Sequence, residues 1–299
     1  MDPVTLAVVR GSLEQIADEM DLQLIHAAIS PIISETNDCA NGIFHPETGE
    51  TIAQGRYGLP VFLAYMQFAV QHVIGLAREQ GGFKPGDIWI MNDTYVGGSH
   101  LQDVQLVAPI FADGQLFAVL ATTGHWRDIG GNVPGGWGPK ATEIHQEGIV
   151  IPPVKLYEEG RLNEALLAMF KANVRLPKEI AGDLSAMVNV FAVGHRGIEA
   201  LVQRYGRSTL SQCLNEMIAY SERQMRSYIS EIPDGIYRCE DFLDNDGIND
   251  TPVPVKLAIT VKGDEMHFDF TGTGPSTTGP MNMSRNTTLS SCYVALKHI

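Results

Sequence analysis

Val9, Leu13, Ile16, Met20 and Leu24 recur every three or four residues, the spacing of one helix face. Asp2 and Pro3 supply an N-cap and an N1 proline, and Pro31 stops the pattern. A helix is therefore predicted over about 3–29. Residues 41–44 and 51–53 flank Pro46-Glu47-Thr48-Gly49, which predicts a β-hairpin turning at 46–50. Phe62, Met66, Val70 and Ile74 place a second helix over 60–79. A turn at Lys84-Pro85-Gly86-Asp87 leads into a buried strand, Ile88-Trp89-Ile90-Met91. Two apolar runs, 104–111 and 115–123, flank Ala112-Asp113-Gly114, a strong hairpin signal because Asp-Gly suits a tight turn. Helical spacing returns over 162–173 and 177–228. Beyond Pro233 the period falls toward two. Tyr237, Phe242, Val253, Val255, Leu257, Ile259, Phe268 and Phe270 lie in short strands turning at Asp246-Gly247 and Gly263-Asp264.

The pattern predicts an α+β protein of mixed helices and antiparallel sheets. A helix and hairpin core over about 1–230 precedes a β-rich portion over about 231–283, within one domain over 1–299. Residues 286–299 read as the beginning of a helix with no C-cap, which suggests a longer subunit truncated at its C-terminus. No uninterrupted apolar run reaches the ~18 residues of a membrane span. The first residues carry no basic segment of a signal peptide. A bacterial-type cytoplasm and no membrane partner are expected.

Composition narrows the partners. Of 299 residues, 35 are acidic and 21 basic, for a net charge of -14; nucleic acid and anionic membranes select the opposite sign. Hydrophobic residues at 44% with 19% charged fit a globular chain rather than a disordered one. The four cysteines, Cys39, Cys213, Cys239 and Cys292, form no CxxC, so neither a zinc ribbon nor a disulfide framework is expected.

The sharpest chemical pattern is His100-x-x-Asp103 with His125-x-x-Asp128, at the two far ends of the predicted hairpin. Counted from the turn at 112–114, His100 and His125 fall at positions that pair across an antiparallel ladder. Asp103 then lies nearby. Two imidazoles and a carboxylate are a common donor set for a divalent metal. A further ligand could come from Ser34-Glu35-Thr36-Asn37-Asp38. The loops at 92–100 and 124–140 are rich in glycine and would leave room for a substrate. Carboxylates not on the metal would orient the imidazoles.

Other patterns carry less. His45, His72, His145, His195 and His267 lack such partners. Asp244 to Asp250 resembles a calcium loop, but Val255 stands where the loop needs its Glu, so a turn is expected. There is no GxxxxGK[ST], GxGxxG or GxSxG. Gly272-Thr273-Gly274-Pro275 is a weak candidate for an anion loop, because no helix follows at once. Any use of ATP would have to come from elsewhere.

Several long stretches resemble the hydantoinase B/oxoprolinase family. They are 92–103, 124–131, 143–156, 173–177 and 269–273, including Gly97-Gly98-Ser99-His100-Leu101-Gln102-Asp103 and Gly124-His125-Trp126-Arg127-Asp128. That family includes the B-type subunits of ATP-dependent hydantoinases, the C-terminal part of 5-oxoprolinase, and subunits of acetone- and acetophenone-type carboxylases. The resemblance implies an A-type partner subunit that binds ATP and Mg, and a metal site on this chain. It puts metal ligands at His100, Asp103 and His125, with Asp38 favoured over Glu35 as a further ligand. Asp103, Asp128 and His125 would be the catalytic groups, with Asp128 also shaping the site. The metal would be Zn, Mn or Fe. The implied activity is opening of a cyclic amide of the hydantoin or 5-oxoproline type. A carboxylase subunit or a non-catalytic scaffold for the A-type subunit are the alternatives. Two departures stand out. Trp126 follows His125 where family members often have a second histidine, and 57–63 lacks the histidines many carry around Pro60.

Overall fold

The computed structural model describes residues 2–298; Met1 and Ile299, the last residue of the expected terminal helix, lie outside the described residues. Helix α1 spans Pro3–Ala27, and the Asp2 carboxylate accepts the Val4 and Thr5 N–H groups, as an N-cap should. A short helix, α2 (Pro31–Ser34), follows. The first hairpin is β1 (Cys39–Phe44) with β2 (Thr51–Gln54). Then come α3 (Pro60–Glu79), β3 (Ile88–Met91), β4 (Asp103–Ala112) and β5 (Gln115–His125).

Strands β6 (Val154–Glu158) and β7 (Arg161–Leu162) extend the sheet beyond β3. Helix α4 spans Glu164–Asn173. The helical pattern over 177–228 is two helices rather than one. Gly206, at φ 76, separates α5 (Pro177–Tyr205) from α6 (Arg207–Ile229), a backbone angle that glycine adopts freely. Strands β8 (Gly235–Leu243), β9 (Val253–Lys262) and β10 (Glu265–Asp269) form the β-rich portion, and α7 spans Arg285–Leu296. The fold is α+β, as the pattern predicts.

The larger sheet has the order β2-β1-β5-β4-β3-β6-β7, and each neighbouring pair is antiparallel. Both of its faces are covered. Ile43, Val104, Leu106, Ala108, Ala118 and Leu120 pack with α1 and α5 residues such as Leu13, Met20, Leu184 and Met187. Phe44, Trp89, Met91, Val107, Val119 and Ala121 pack instead with Tyr65, Met66, Ala69, Val70 and Val73 of α3. Two buried faces explain why β4 and β5 read as unbroken apolar runs rather than alternating ones. Among the described helices, α3 alone has the length and apolar composition of a membrane span. Here it lies between the sheet and α7. None of the four cysteines forms a disulfide.

Candidate metal centre

Strand alternation gathers three of the expected residues on one side of the sheet. Val119 and Ala121 face α3, so His125 on the same strand, an even number of residues on, faces α3 as well. Val107 faces α3 and Asp103 shares its parity. Ala40 of β1 also faces α3, and Asp38 precedes it by two. Pairing of β1 with β5 then sets Asp38 beside His125, whose backbone N–H donates to the Asp38 carbonyl at 3.0 Å.

The hairpin register differs from the expected one. Asp103, not His100, lies opposite His125: the hairpin closes with Ala112 against Gln115, which alone would set Gln102 opposite His125, and a bulge between Ile110 and Phe111 shifts the ladder by one more residue. His100 reaches the cluster from the bend before β4, where the Asp103 N–H donates to the His100 carbonyl at 3.1 Å. The two imidazole centroids are 5.0 Å apart. Donor atoms of His100, Asp103 and His125 all lie within 4.8 Å of one another.

Asp103 is the centre of the arrangement. It is fully buried. Its Oδ1 lies 3.1 Å from His125 Nδ1, and its Oδ2 lies 2.6 Å from His100 Nδ1. Tyr65 of α3 donates its hydroxyl to Oδ2 at 2.9 Å, and the Ser99 hydroxyl donates to the same oxygen. Burial opposes ionisation of Asp103, but hydrogen bonds from His100 and His125, and their charges, hold its carboxyl far below the usual range. Burial also opposes the charged form of His100. The Asp103 hydrogen bond and the Asp103, Asp38 and Glu147 charges outweigh it and raise the His100 pKa. Burial of Tyr65, with Asp103 beside it, pushes its phenol well above the ordinary value.

Asp38 completes the group. Its Oδ2 lies 3.8 Å from His125 Nδ1, and its Oδ1 is buried with no hydrogen-bond partner. Burial raises its pKa, against the attraction of His125. A buried carboxylate oxygen with free lone pairs, beside two imidazoles and a second carboxylate, suits a divalent cation. Glu35, by contrast, is exposed beyond α2.

Asp128 is held differently. Its Oδ2 accepts the Arg175 backbone N–H at 2.6 Å and its Oδ1 accepts Arg175 Nη1 at 2.9 Å. The same guanidinium donates to the Gly130 and Gly131 carbonyls. Both Asp128 oxygens are thus taken, and the residue ties the glycine-rich loop to the segment before α5. Trp126 points into the opposite core, edge-on to Phe170 at 5.9 Å. At 244–250 the Asp246 carboxylate accepts N–H groups from Ile248, Asn249 and Gly279, which makes the expected turn.

Sequence reasoning missed three neighbours of the cluster. Tyr65 lies on a helix whose apolar spacing reads only as core. Ser99 precedes His100 and could have been noticed for that. Trp137 stacks on His125 with centroids 6.4 Å apart and planes at 18°, and meets His100 edge-on at 5.3 Å. Only its place in the glycine-rich loop marked it.

The family model described as hydantoinase B/oxoprolinase matches residues 2–299. The chain is 34% identical to the beta subunit of the caprolactamase of Pseudomonas jessenii, over 89% of this chain and 45% of that relative. It is 31% identical to the B-type subunit of a putative D-/L-hydantoinase of a Pseudomonas species, over 95% of this chain and 49% of the relative. The crystal structure of the ATP-dependent caprolactamase from Pseudomonas jessenii superposes with a TM-score of 0.93 at 32% identity, covering all of this chain and 51% of that one. The chain spans about half the length of these relatives.

Proposed function

We propose that this chain, which belongs to the hydantoinase B/oxoprolinase family, is the metal-containing subunit of an ATP-dependent amidohydrolase that opens a cyclic amide. ATP and its Mg would be bound by an A-type partner subunit. The observation that carries the reading is the convergence of His100, Asp103, His125 and Asp38, with the Asp38 Oδ1 buried and unpartnered. These four residues would hold Zn, Mn or Fe, and an ion there supplies a Lewis acid for a substrate oxygen.

The chain's own groups account for the rest. Asp103 fixes the tilt of both imidazoles, and Tyr65 and Ser99 fix Asp103. Within the cluster His125, which Asp103 holds in place, is the group set to exchange a proton with a bound amide. Asp128, with both oxygens on Arg175, acts by holding the loop that borders the site. The similarity to a caprolactamase subunit and to a putative hydantoinase subunit supports a cyclic amide as substrate.

The test is ring opening by the complex co-expressed with its A-type partner, with hydantoin, 5-oxoproline and caprolactam, with and without ATP. The expected result is ATP-dependent opening that His100→Ala and His125→Ala both abolish, with loss of bound metal. Full activity in both variants would overturn the metal role. A carboxylated product formed only with bicarbonate would assign a carboxylase instead. A purified complex with no metal on this chain would leave only a scaffold.

A further inference from the structure

The indole of Trp137 is 68% exposed, yet it does not hang free. One side of it lies on the His125 imidazole, and the His100 ring meets it edge-on. Its loop is clamped on both sides. On one side the buried Gln102, between His100 and Asp103 in sequence, donates its amide to the Gly135 carbonyl at 3.3 Å. The chain passes so close that a Cβ on Gly136, at φ +71, would lie 2.2 Å from Gln102 Nε2. On the other side Gly247, in the turn between β8 and β9, sits against Pro139, where a Cβ would lie 2.3 Å from the Pro139 carbonyl oxygen. Asp246 holds that turn to Gly279. Further back, the Asn132 N–H donates to the Gln146 carbonyl at 2.8 Å.

A large apolar side chain held in place at a polar cluster, with most of its surface open, serves no core. A rigid indole loses little freedom when a flat group is laid against it. Aromatic faces prefer offset stacking or edge contact with other planar groups. The amide unit of an uncharged cyclic amide is planar, and its ring methylenes are apolar. Its ring offers a flat or apolar flank to the indole while its carbonyl turns toward the imidazoles and carboxylates.

The geometry points to Trp137 as the wall that binds the ring of a neutral cyclic amide beside the His100, Asp103 and His125 cluster. This rests on the amidohydrolase reading for the identity of the ligand. It adds a residue that sets specificity, with Gln102 as its positioning residue. It follows that the site selects for the apolar, uncharged flank of a ring over an open-chain amide of the same size, which has more freedom to lose on binding.

The test uses the complete metal-loaded complex with its A-type partner. Steady-state ring opening of caprolactam is compared in wild type, Trp137→Ala and Trp137→Phe, with metal content measured in each. Loss of the aromatic wall should raise KM by about tenfold, leave metal content unchanged and alter kcat little, and Trp137→Phe should restore most of the affinity. An unchanged KM in Trp137→Ala overturns the proposal. So does a loss of metal in Trp137→Ala, which would make the indole a support of the cluster. Calorimetric binding of caprolactam to the same three complexes without ATP separates this inference from the reaction. If no amide is turned over, the amidohydrolase reading fails, while Trp137-dependent binding still sustains the wall. Caprolactam binding that is absent in wild type, or equal in wild type and Trp137→Ala, overturns it.

Discussion

Tyr65→Phe is the cleanest perturbation of the cluster, because it deletes one oxygen and keeps the buried ring. The ring fills the core under the sheet and meets Phe62 edge-on at 5.6 Å, and both contacts survive the change. What is lost is one donor to the buried Asp103 carboxylate, at 2.9 Å. A hydrogen bond to a charged acceptor contributes about 1.5–3 kcal/mol. The Asp103 Oδ2 keeps Ser99 and His100 as partners, so it is not left bare, and the lower end applies. We expect metal-free protein to lose about 1.5 kcal/mol in urea unfolding. A carboxylate freed to rotate also holds a metal less well, by roughly tenfold for a supporting residue of this kind. At saturating metal that weakening removes a further ~1.4 kcal/mol of stability by mass action. The total with metal present is then about 3 kcal/mol, twice the loss without it. Paired urea titrations with and without Zn, plus a competition titration of metal affinity, measure both quantities. Equal losses in the two titrations would refute the coupling of Tyr65 to a metal through Asp103.

Three further changes probe the surroundings. Arg175→Ala removes the side-chain donors to Asp128, Gly130 and Gly131; since the guanidinium is 40% exposed and the backbone bond to Asp128 remains, the cost should be about 1–2 kcal/mol. Faster amide exchange confined to 129–138 is the expected signature, and unchanged exchange there would sink the idea. Gly55→Ala places a Cβ 2.0 Å from the Asp21 Oδ2, and Asp21 is fixed by Asn41, Tyr57 and Gly58. A loss of about 3 kcal/mol in thermal or urea unfolding is expected from such overpacking, and a neutral result would show that the 55–58 segment can yield. Asp246 titrates the turn at the loop's far side: backbone hydrogen bonds from Asn249 and Ile248 lower its pKa to about 2. A depressed carboxylate contributes stability above its unfolded pKa of about 3.9, and that contribution is lost as pH falls toward 2. Acid unfolding curves of wild type and Asp246→Asn should therefore differ fully above about pH 4 and converge as pH falls to about 2; parallel curves would refute the assignment.

How far the sequence reveals this site depends on the range of each contact. The β4–β5 hairpin is legible because two apolar runs close on Asp113-Gly114, and both glycine-rich loops stand out by composition. Centring the turn on 112–114 sets His125 near His100, but the hairpin closes with Ala112 against Gln115, and a bulge between Ile110 and Phe111, which carries no sequence mark, adds one residue more, so His125 meets Asp103. Asp38 is legible only as one acid of a segment. What places it is the pairing of β1 with β5, a contact across more than eighty residues. The 154–158 strand, Val-Lys-Leu-Tyr-Glu, escapes because it is short and interleaves charged with apolar residues, so it offers no apolar run to detect. The break at Gly206 escapes for a different reason: helical spacing continues on both sides, and only the positive φ of the glycine separates α5 from α6.

The same alternation settles what the departure at Trp126 means. The α3 face receives Asp38, Asp103 and His125, and it is there that Tyr65 can reach the carboxylate. The next residue along must turn the other way, and Trp126 does, into the core shared by Phe170, Ile129 and Val174. Gly124, one residue before His125, shows the same sidedness: a Cβ there would meet Ile33 and Met187 on the α1 and α5 side. A side chain at 126 therefore answers to packing under α4 and α5 and not to the donors around Asp103. Replacing a histidine by tryptophan at that position changes the volume and polarity of the opposite core and leaves the two imidazoles and two carboxylates intact. Variation in what the site accepts has then to be sought on the α3 face and its loops, where Trp137 is the one large side chain in ring contact with both imidazoles among the described residues.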